Sequence, residues 1–193
     1  MDDYTRSMRR VFEALKFAAE KHRNQRRKDR EASPYINHPI DICHYLCGCC
    51  EPPDPDLLVA AALHDTVEDT NTTLQELAER FGDEIERLVE EVTDDKTKPK
   101  EVRKELQIRT ARNKSPKAKL IKLADKISNV TDIIRSPPHG WSSERKLEYL
   151  EWTEKVVREL EGTNECLESL YFARLKEARN RLGRTAGEDK NHL

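Results

Sequence analysis

Apolar side chains return every three to four residues along most of the chain, a period that predicts helices. Tyr4, Met8, Val11, Phe12, Leu15, Ala18, Ala19 and His22 follow that spacing and predict a helix over 3–23. Pro39 suits the first turn of a short helix that runs to about Leu46. Pro52, Pro53 and Pro55 mark a loop. Leu57-Leu58-Val59-Ala60-Ala61-Ala62 then forms an unbroken apolar run in a helix predicted over 56–67. Thr73 and Glu76 have capping-box spacing ahead of Leu74, Leu77 and Phe81. Ile85, Leu88, Val89 and Val92 predict a helix over 83–93, and a weakly apolar, basic one follows over 101–113. Leu120, Leu123, Ala124, Ile127, Val130 and Ile134 mark a strong helix after Pro116, broken by Pro137-Pro138-His139-Gly140. Ser142 or Ser143 can cap a long helix to about Leu160, and a last helix runs from 164 to about 182, ending at Gly183. No period-two alternation marks a strand. The pattern predicts an all-α fold, a single multi-helix bundle over 1–183, with a disordered tail over 184–193.

Composition narrows this picture. A chain of 193 residues suits one domain with a real core. Charged residues make up 37%, yet the net charge is only −2. Mixed signs at that density fit solvated helix faces, not a disordered chain or a nucleic-acid binder. No apolar run approaches the ~20 residues of a membrane span, and Met1-Asp2-Asp3-Tyr4 carries no apolar leader. The expectation is a cytoplasmic protein without membrane or nucleic-acid partners. Of five cysteines, Cys43, Cys47, Cys49 and Cys50 are clustered and Cys166 is remote. The odd count argues against a disulfide framework, and the spacing against paired zinc ligands. Structural or incidental thiols are expected, with Cys43 and Cys47 as small packing groups on one helix face.

The chemistry concentrates where the 56–67 run ends, in Leu63-His64-Asp65-Thr66-Val67-Glu68-Asp69-Thr70. On a continuous helix, at about 100° per residue, positions 64, 65, 68 and 69 fall within an arc of roughly 140°. His64 then lies over Glu68, and Asp65 over Asp69. Carboxylates this close repel unless a cation or shared protons hold them, and a helix C-terminus favours cations. The segment therefore reads as a metal or acid–base site, with a solvated acidic helix end as the alternative. One helix offers only one wall of a coordination sphere. His38, fixed in direction by Pro39, is a second candidate. Asp125 is another, because a charge at the edge of an apolar stripe is costly unless paired or metal-bound. Its alternative is pairing with Lys122 or Lys126. Asn129 lies one turn on. His38, His64, Asp65 and Asp125 would supply two nitrogens and two oxygens, a set suited to Mn, Fe, Zn or Ni more than Ca. His22, His44, His139 and His192 have no comparable setting.

His38, then His64-Asp65, then Asp125, in that order, resembles the metal-binding set of the HD phosphohydrolase superfamily. Longer stretches are more specific: Arg26-Arg27-Lys28-Asp29, Pro34 to Pro39, Ala61 to Thr70, Glu90 to Thr97, Lys122-Leu123-Ala124-Asp125-Lys126, and Glu148-Tyr149 to Trp152. These resemble the RelA/SpoT family of alarmone hydrolases, in its small stand-alone metazoan branch, over roughly residues 5–180. The resemblance implies Mn2+-dependent hydrolysis of the 3′-pyrophosphate of (p)ppGpp, giving GDP or GTP and pyrophosphate. It implies no alarmone synthesis. Removal of the 2′-phosphate of NADPH, giving NADH, is an alternative, and a non-catalytic nucleotide-binding module a third. By the same resemblance His38, His64, Asp65 and Asp125 are metal ligands and Glu68 and Asp69 the acid–base pair. Arg27 and Lys28 face the nucleotide, and Lys100, Asn129, Arg145 and Tyr149 match substrate-contacting positions. The chain departs from the family over Cys43–Pro55, and at Ser128, where relatives carry a larger ring; altered base packing is expected there.

Overall fold

The structure, a computed structural model, describes residues 2–188. It contains α1 (Asp3–Lys21), α2 (Asn37–Cys49), α3 (Pro55–Leu63), α4 (Thr66–Asp69), α5 (Leu74–Phe81), α6 (Asp83–Val92), α7 (Lys100–Ala111), α8 (Pro116–Arg135), α9 (Ser143–Arg158) and α10 (Glu165–Glu188). No strand occurs among the described residues, so the all-α expectation holds; one isolated bridge pairs Arg26 with Pro34. Among the described residues no helix is long and apolar enough to cross a membrane.

The unbroken apolar run explains the architecture. Every residue from Leu57 to Leu63 is buried. A helix apolar all round needs neighbours all round, and α1, α2, α6 and α8 pack against α3. Each fully buried Leu there contributes about 1.5–3 kcal/mol. The chemically active residues thus leave the most buried helix of the fold. That helix does not continue to residue 67. The carbonyls of Ala61 and Leu63 accept from side chains, His64 Nδ1 at 2.9 Å and Thr66 Oγ1 at 2.7 Å. Such side-chain competition interrupts the helical ladder. Asp65 has φ −101° and ψ −2°, and a new turn, α4, carries Glu68 and Asp69.

Two further expectations are corrected. Helix α10 runs to Glu188, past Gly183. A helical Gly costs about 1 kcal/mol against Ala, too little to stop a helix whose Leu167, Tyr171, Leu175, Ala178 and Leu182 are buried. The predicted tail therefore starts as helix, and 189–193 lie outside the described residues. The thiols also differ. Cys49 and Cys166 form a disulfide, bringing together residues 117 apart in sequence. Only the packing of α10 against α2 creates that proximity. Cys43 is buried as expected, its thiol 3.5 Å from the Leu58 carbonyl, but Cys47 is exposed.

The basic stretch between α1 and α2 is folded, not a free charge run. Arg27 N–H donates to Ser33 O at 2.8 Å and Tyr35 N–H to Gln25 O at 3.2 Å. His139 N–H, from the break after α8, donates to Lys28 O at 2.6 Å.

Candidate active site

His38 enters on the first turn of α2, His64 and Asp65 at the α3–α4 break, and Asp125 from the middle of α8. Ligand atoms of His38, His64 and Asp65 lie within 4.8 Å of one another. His64 Nε2 is 2.9 Å, and His38 Nε2 3.8 Å, from Asp65 Oδ2. His38 Nε2 is 3.3 Å from Asp125 Oδ1. The far nitrogens are anchored, His64 Nδ1 by Ala61 O and His38 Nδ1 by Ser128 Oγ at 2.9 Å. Ser128 is thus buried beneath His38, where its hydroxyl also holds the ring.

A donor on Nδ1 leaves His64 Nε2 with a lone pair. That atom is buried and has no hydrogen-bond partner, although it faces Asp65. Ligand atoms of two imidazoles and the Asp65 carboxylate therefore gather in one place, with Asp125 Oδ1 against His38 Nε2, and a cation is what such an arrangement fits. Burial pushes the His64 pKa down, but the Asp65 carboxylate overrides it and raises it. Burial pushes Asp65 up, yet His64 and His38 hold it below the ordinary carboxylate range. Asp125 is likewise held low, chiefly by Lys126, against its burial. Lys126 Nζ and Asn129 Nδ2 both donate to Asp125, at 2.8 and 2.6 Å. Lys122, the other candidate partner, instead donates to Val92 O at 2.7 Å.

Glu68 and Asp69 project from α4 beside this set. Glu68 Oε2 accepts Asp94 N–H at 3.0 Å, and Arg103 lies 3.6 Å from Oε1. Burial raises the Glu68 pKa, with Asp65, Asp94 and Asp69 adding to it against the Asp94 hydrogen bond. Such a carboxylate is a stronger base than an exposed one. Asp69 accepts Gln25 Nε2 at 2.8 Å and also Lys96 Nζ.

All twelve residues singled out in the sequence line one cleft of about 740 Å³. Arg27 donates to Asp132 and, at 3.2 Å, to Asn129. Lys28 has its pKa lowered by burial and by Lys100, Arg145 and Arg27, so these four cations stand close enough to repel. Tyr149 packs between Trp141 and Trp152, with centroids 5.5 and 5.4 Å away. Arg145 lies over Trp141 at 4.3 Å and Lys126 over Trp152 at 4.7 Å. The cleft thus joins an acidic, lone-pair-rich end to a cationic, aromatic wall, as an anionic ligand with a flat ring requires.

Several contributors were not singled out in the sequence. Tyr35 OH donates to Asp65 Oδ2. Arg103, Lys104, Gln107, Trp141 and Trp152 complete the cleft wall. Buried His22 bonds Gln25 and stacks on Tyr35. Tyr35 and Trp152 fall within stretches that carry the family resemblance, but nothing local to any of these residues marks it as part of a site.

Residues 14–149 match the HD domain family. The human guanosine-3′,5′-bis(diphosphate) 3′-pyrophosphohydrolase MESH1 is 56% identical over 158 residues, covering 82% of this chain and 88% of that protein. Its Drosophila melanogaster counterpart is 46% identical over 159 residues, covering 82% and 89%. A solved structure described as a metazoan ortholog of SpoT that hydrolyzes ppGpp superposes with a TM-score of 0.83 at 44% identity, covering 87% of this chain and 94% of that one. The chain belongs to the HD-domain family, within the MESH1 group of metazoan SpoT homologues.

Proposed function

We infer that this protein is a metal-dependent phosphohydrolase that removes the 3′-pyrophosphate of (p)ppGpp, giving GDP or GTP and pyrophosphate. HD-domain membership implies a divalent metal. We assign Mn2+, held by His38, His64, Asp65 and Asp125, on the convergence of their lone pairs. The observation that carries the reading is the juxtaposition, in one cleft, of that set, the raised-pKa Glu68, and the Arg27, Lys28, Lys100 and Arg145 cations.

A bound divalent cation polarises a phosphoryl oxygen and acidifies water. The chain's own groups do the rest. Arg27, Lys28, Lys100 and Arg145 hold the phosphates, the arginines by bidentate contacts and the lysines as point charges. Asn129, tied to both Arg27 and Asp125, links the phosphate clamp to the metal set. Tyr149 and its tryptophan neighbours offer faces for the base. Glu68 accepts the proton of the attacking water, and Asp69 orients that water in line with the 3′-oxygen–phosphorus bond. The water oxygen bonds to the phosphorus as that bond breaks, the 3′-oxygen takes a proton from solvent, and pyrophosphate departs among the cations.

Removal of the NADPH 2′-phosphate has no observation in its favour here, since the relatives above are named for the 3′-pyrophosphate. A panel at equal enzyme with Mn2+ separates the two. A kcat/KM for ppGpp well above that for NADPH supports the inference, and the reverse order overturns it. The cytoplasmic location stays part of this proposal. The Cys49–Cys166 disulfide weighs against a reducing compartment, and acid-trapped thiol alkylation in cells decides it.

A further inference from the structure

Gln25 and His22 lie where α1 ends, outside the set of residues assigned to metal, proton transfer or phosphate. His22 is 2% exposed and caps α1, its N–H donating to Ala18 O at 2.9 Å. Its Nδ1 is 2.6 Å from Gln25 Oε1. An amide oxygen only accepts, so Nδ1 carries the hydrogen. That bond turns the Gln25 amide so that Nε2 faces Asp69 Oδ2 at 2.8 Å. The opposite orientation would set the amide oxygen against a carboxylate. The backbone holds Gln25 from both sides: its N–H donates to His22 O at 2.8 Å and its carbonyl accepts Tyr35 N–H at 3.2 Å. The His22 ring stacks on Tyr35 with centroids 4.7 Å apart, and Tyr35 OH reaches Asp65.

Asp69 is thus gripped on both oxygens, but unequally. Lys96, on Oδ1, is a flexible side chain 48% exposed. Gln25, on Oδ2, is fixed by five contacts: His22, Asp69, two backbone bonds and Arg26 Nη1 on its carbonyl at 2.9 Å. We propose that the His22–Gln25 pair is a positioning device that sets the rotamer of Asp69, so that its free lone pairs point at the reacting water. The proposal rests on the role assigned above to Asp69. A misplacement of about 1 Å costs roughly 100-fold in rate, so the rigid partner controls turnover more than the flexible one. Both residues act through Asp69 and touch no reacting atom.

The test is steady-state ppGpp hydrolysis at saturating Mn2+, with Mn2+ affinity measured separately. Gln25→Leu is expected to lower kcat by about 10–100-fold, with KM and Mn2+ affinity within about threefold. His22→Phe keeps the ring against Tyr35 but removes the donor, and should lose most of the same kcat. His22→Asn returns an N–H near the Nδ1 position and should recover at least half of the lost activation free energy. If Gln25→Leu fails to fold by circular dichroism, the His22 pair carries the test alone. Gln25→Leu or His22→Phe with wild-type kcat, while Asp69→Asn is inactive, overturns the positioning role alone. A loss reversed by excess Mn2+ also overturns it, because the pair would then serve the metal set. Asp69→Asn with wild-type turnover would show instead that the reading of Asp69 is wrong.

Discussion

Tyr35→Phe removes one oxygen atom and tests whether the metal set is held by its surroundings. The phenol donates to Asp65 Oδ2, the oxygen 2.9 Å from His64 Nε2 and 3.8 Å from His38 Nε2. Phenylalanine keeps the ring contacts, at 4.7 Å to His22, 5.8 Å to His38 and 5.6 Å to the Arg27 guanidinium. Only the hydrogen bond to an ionised, largely desolvated carboxylate is lost. Such bonds contribute about 1.5–3 kcal/mol, and at about 1.4 kcal/mol per decade that is roughly 10–150-fold in affinity. Two effects oppose each other. Losing the donor leaves Asp65 more electron-rich, which favours a cation, and also frees its carboxylate to rotate. Losses of about 10–100-fold for outer-shell partners of metal ligands indicate that orientation wins. Titration calorimetry of the metal-free variant with Mn2+ should therefore give a Kd raised by about 10–100-fold. A Kd within twofold of wild type, or a tighter one, would refute the reasoning.

Glu68→Gln keeps shape and removes the base, so kcat should fall by about 100–10,000-fold; wild-type turnover would revive a purely binding role. Because burial and neighbouring carboxylates raise its pKa, Glu68 in the metal-free protein should titrate above 4.5 by NMR. The folded state then holds more protons than the unfolded between those two values, so this group's contribution to stability declines as pH rises through that window. A Glu68 value at or below 4.5 contradicts this. Lys28→Ala, at the rim of the cleft, should raise KM about fivefold, the equivalent of ~1 kcal/mol, and flatten the salt dependence of KM; a loss confined to kcat would remove Lys28 from the phosphate clamp. Cys166→Ser should lower unfolding stability by about 2–4 kcal/mol, and peptide mapping without reductant should recover Cys49 joined to Cys166 only in the wild type.

The parts legible in the sequence share one physical property: they violate the local pattern at a cost. Carboxylates and an imidazole at the end of an all-apolar helix, and Asp125 on an apolar stripe, demand a partner, and the demand is readable without knowing the fold. The helices were legible because each buries a periodic face. The missing parts depend on contacts between elements distant in sequence. Tyr35 is an ordinary loop tyrosine until Asp65 arrives. His22 occupies the apolar face of α1 and Gln25 a polar loop, and only the turn that returns Tyr35 to Gln25 makes them neighbours of Asp69. The break at His64 arises because two side chains take carbonyls that the periodicity assigns to backbone. The Cys49–Cys166 bond required the α2–α10 contact. Ser128 reads as a small substitution, and its bond to His38 appears only when α2 meets α8.

The central claim is that one cleft, loaded with Mn2+, releases pyrophosphate from the 3′ position. The most direct measurement is 31P NMR of the products from ppGpp with purified protein, with Mn2+ and after chelation. The account predicts inorganic pyrophosphate and GDP in equal amounts, abolished by chelator, restored by added Mn2+, and absent for Asp65→Asn. Orthophosphate as the primary product, or hydrolysis that survives both chelation and Asp65→Asn, would contradict it.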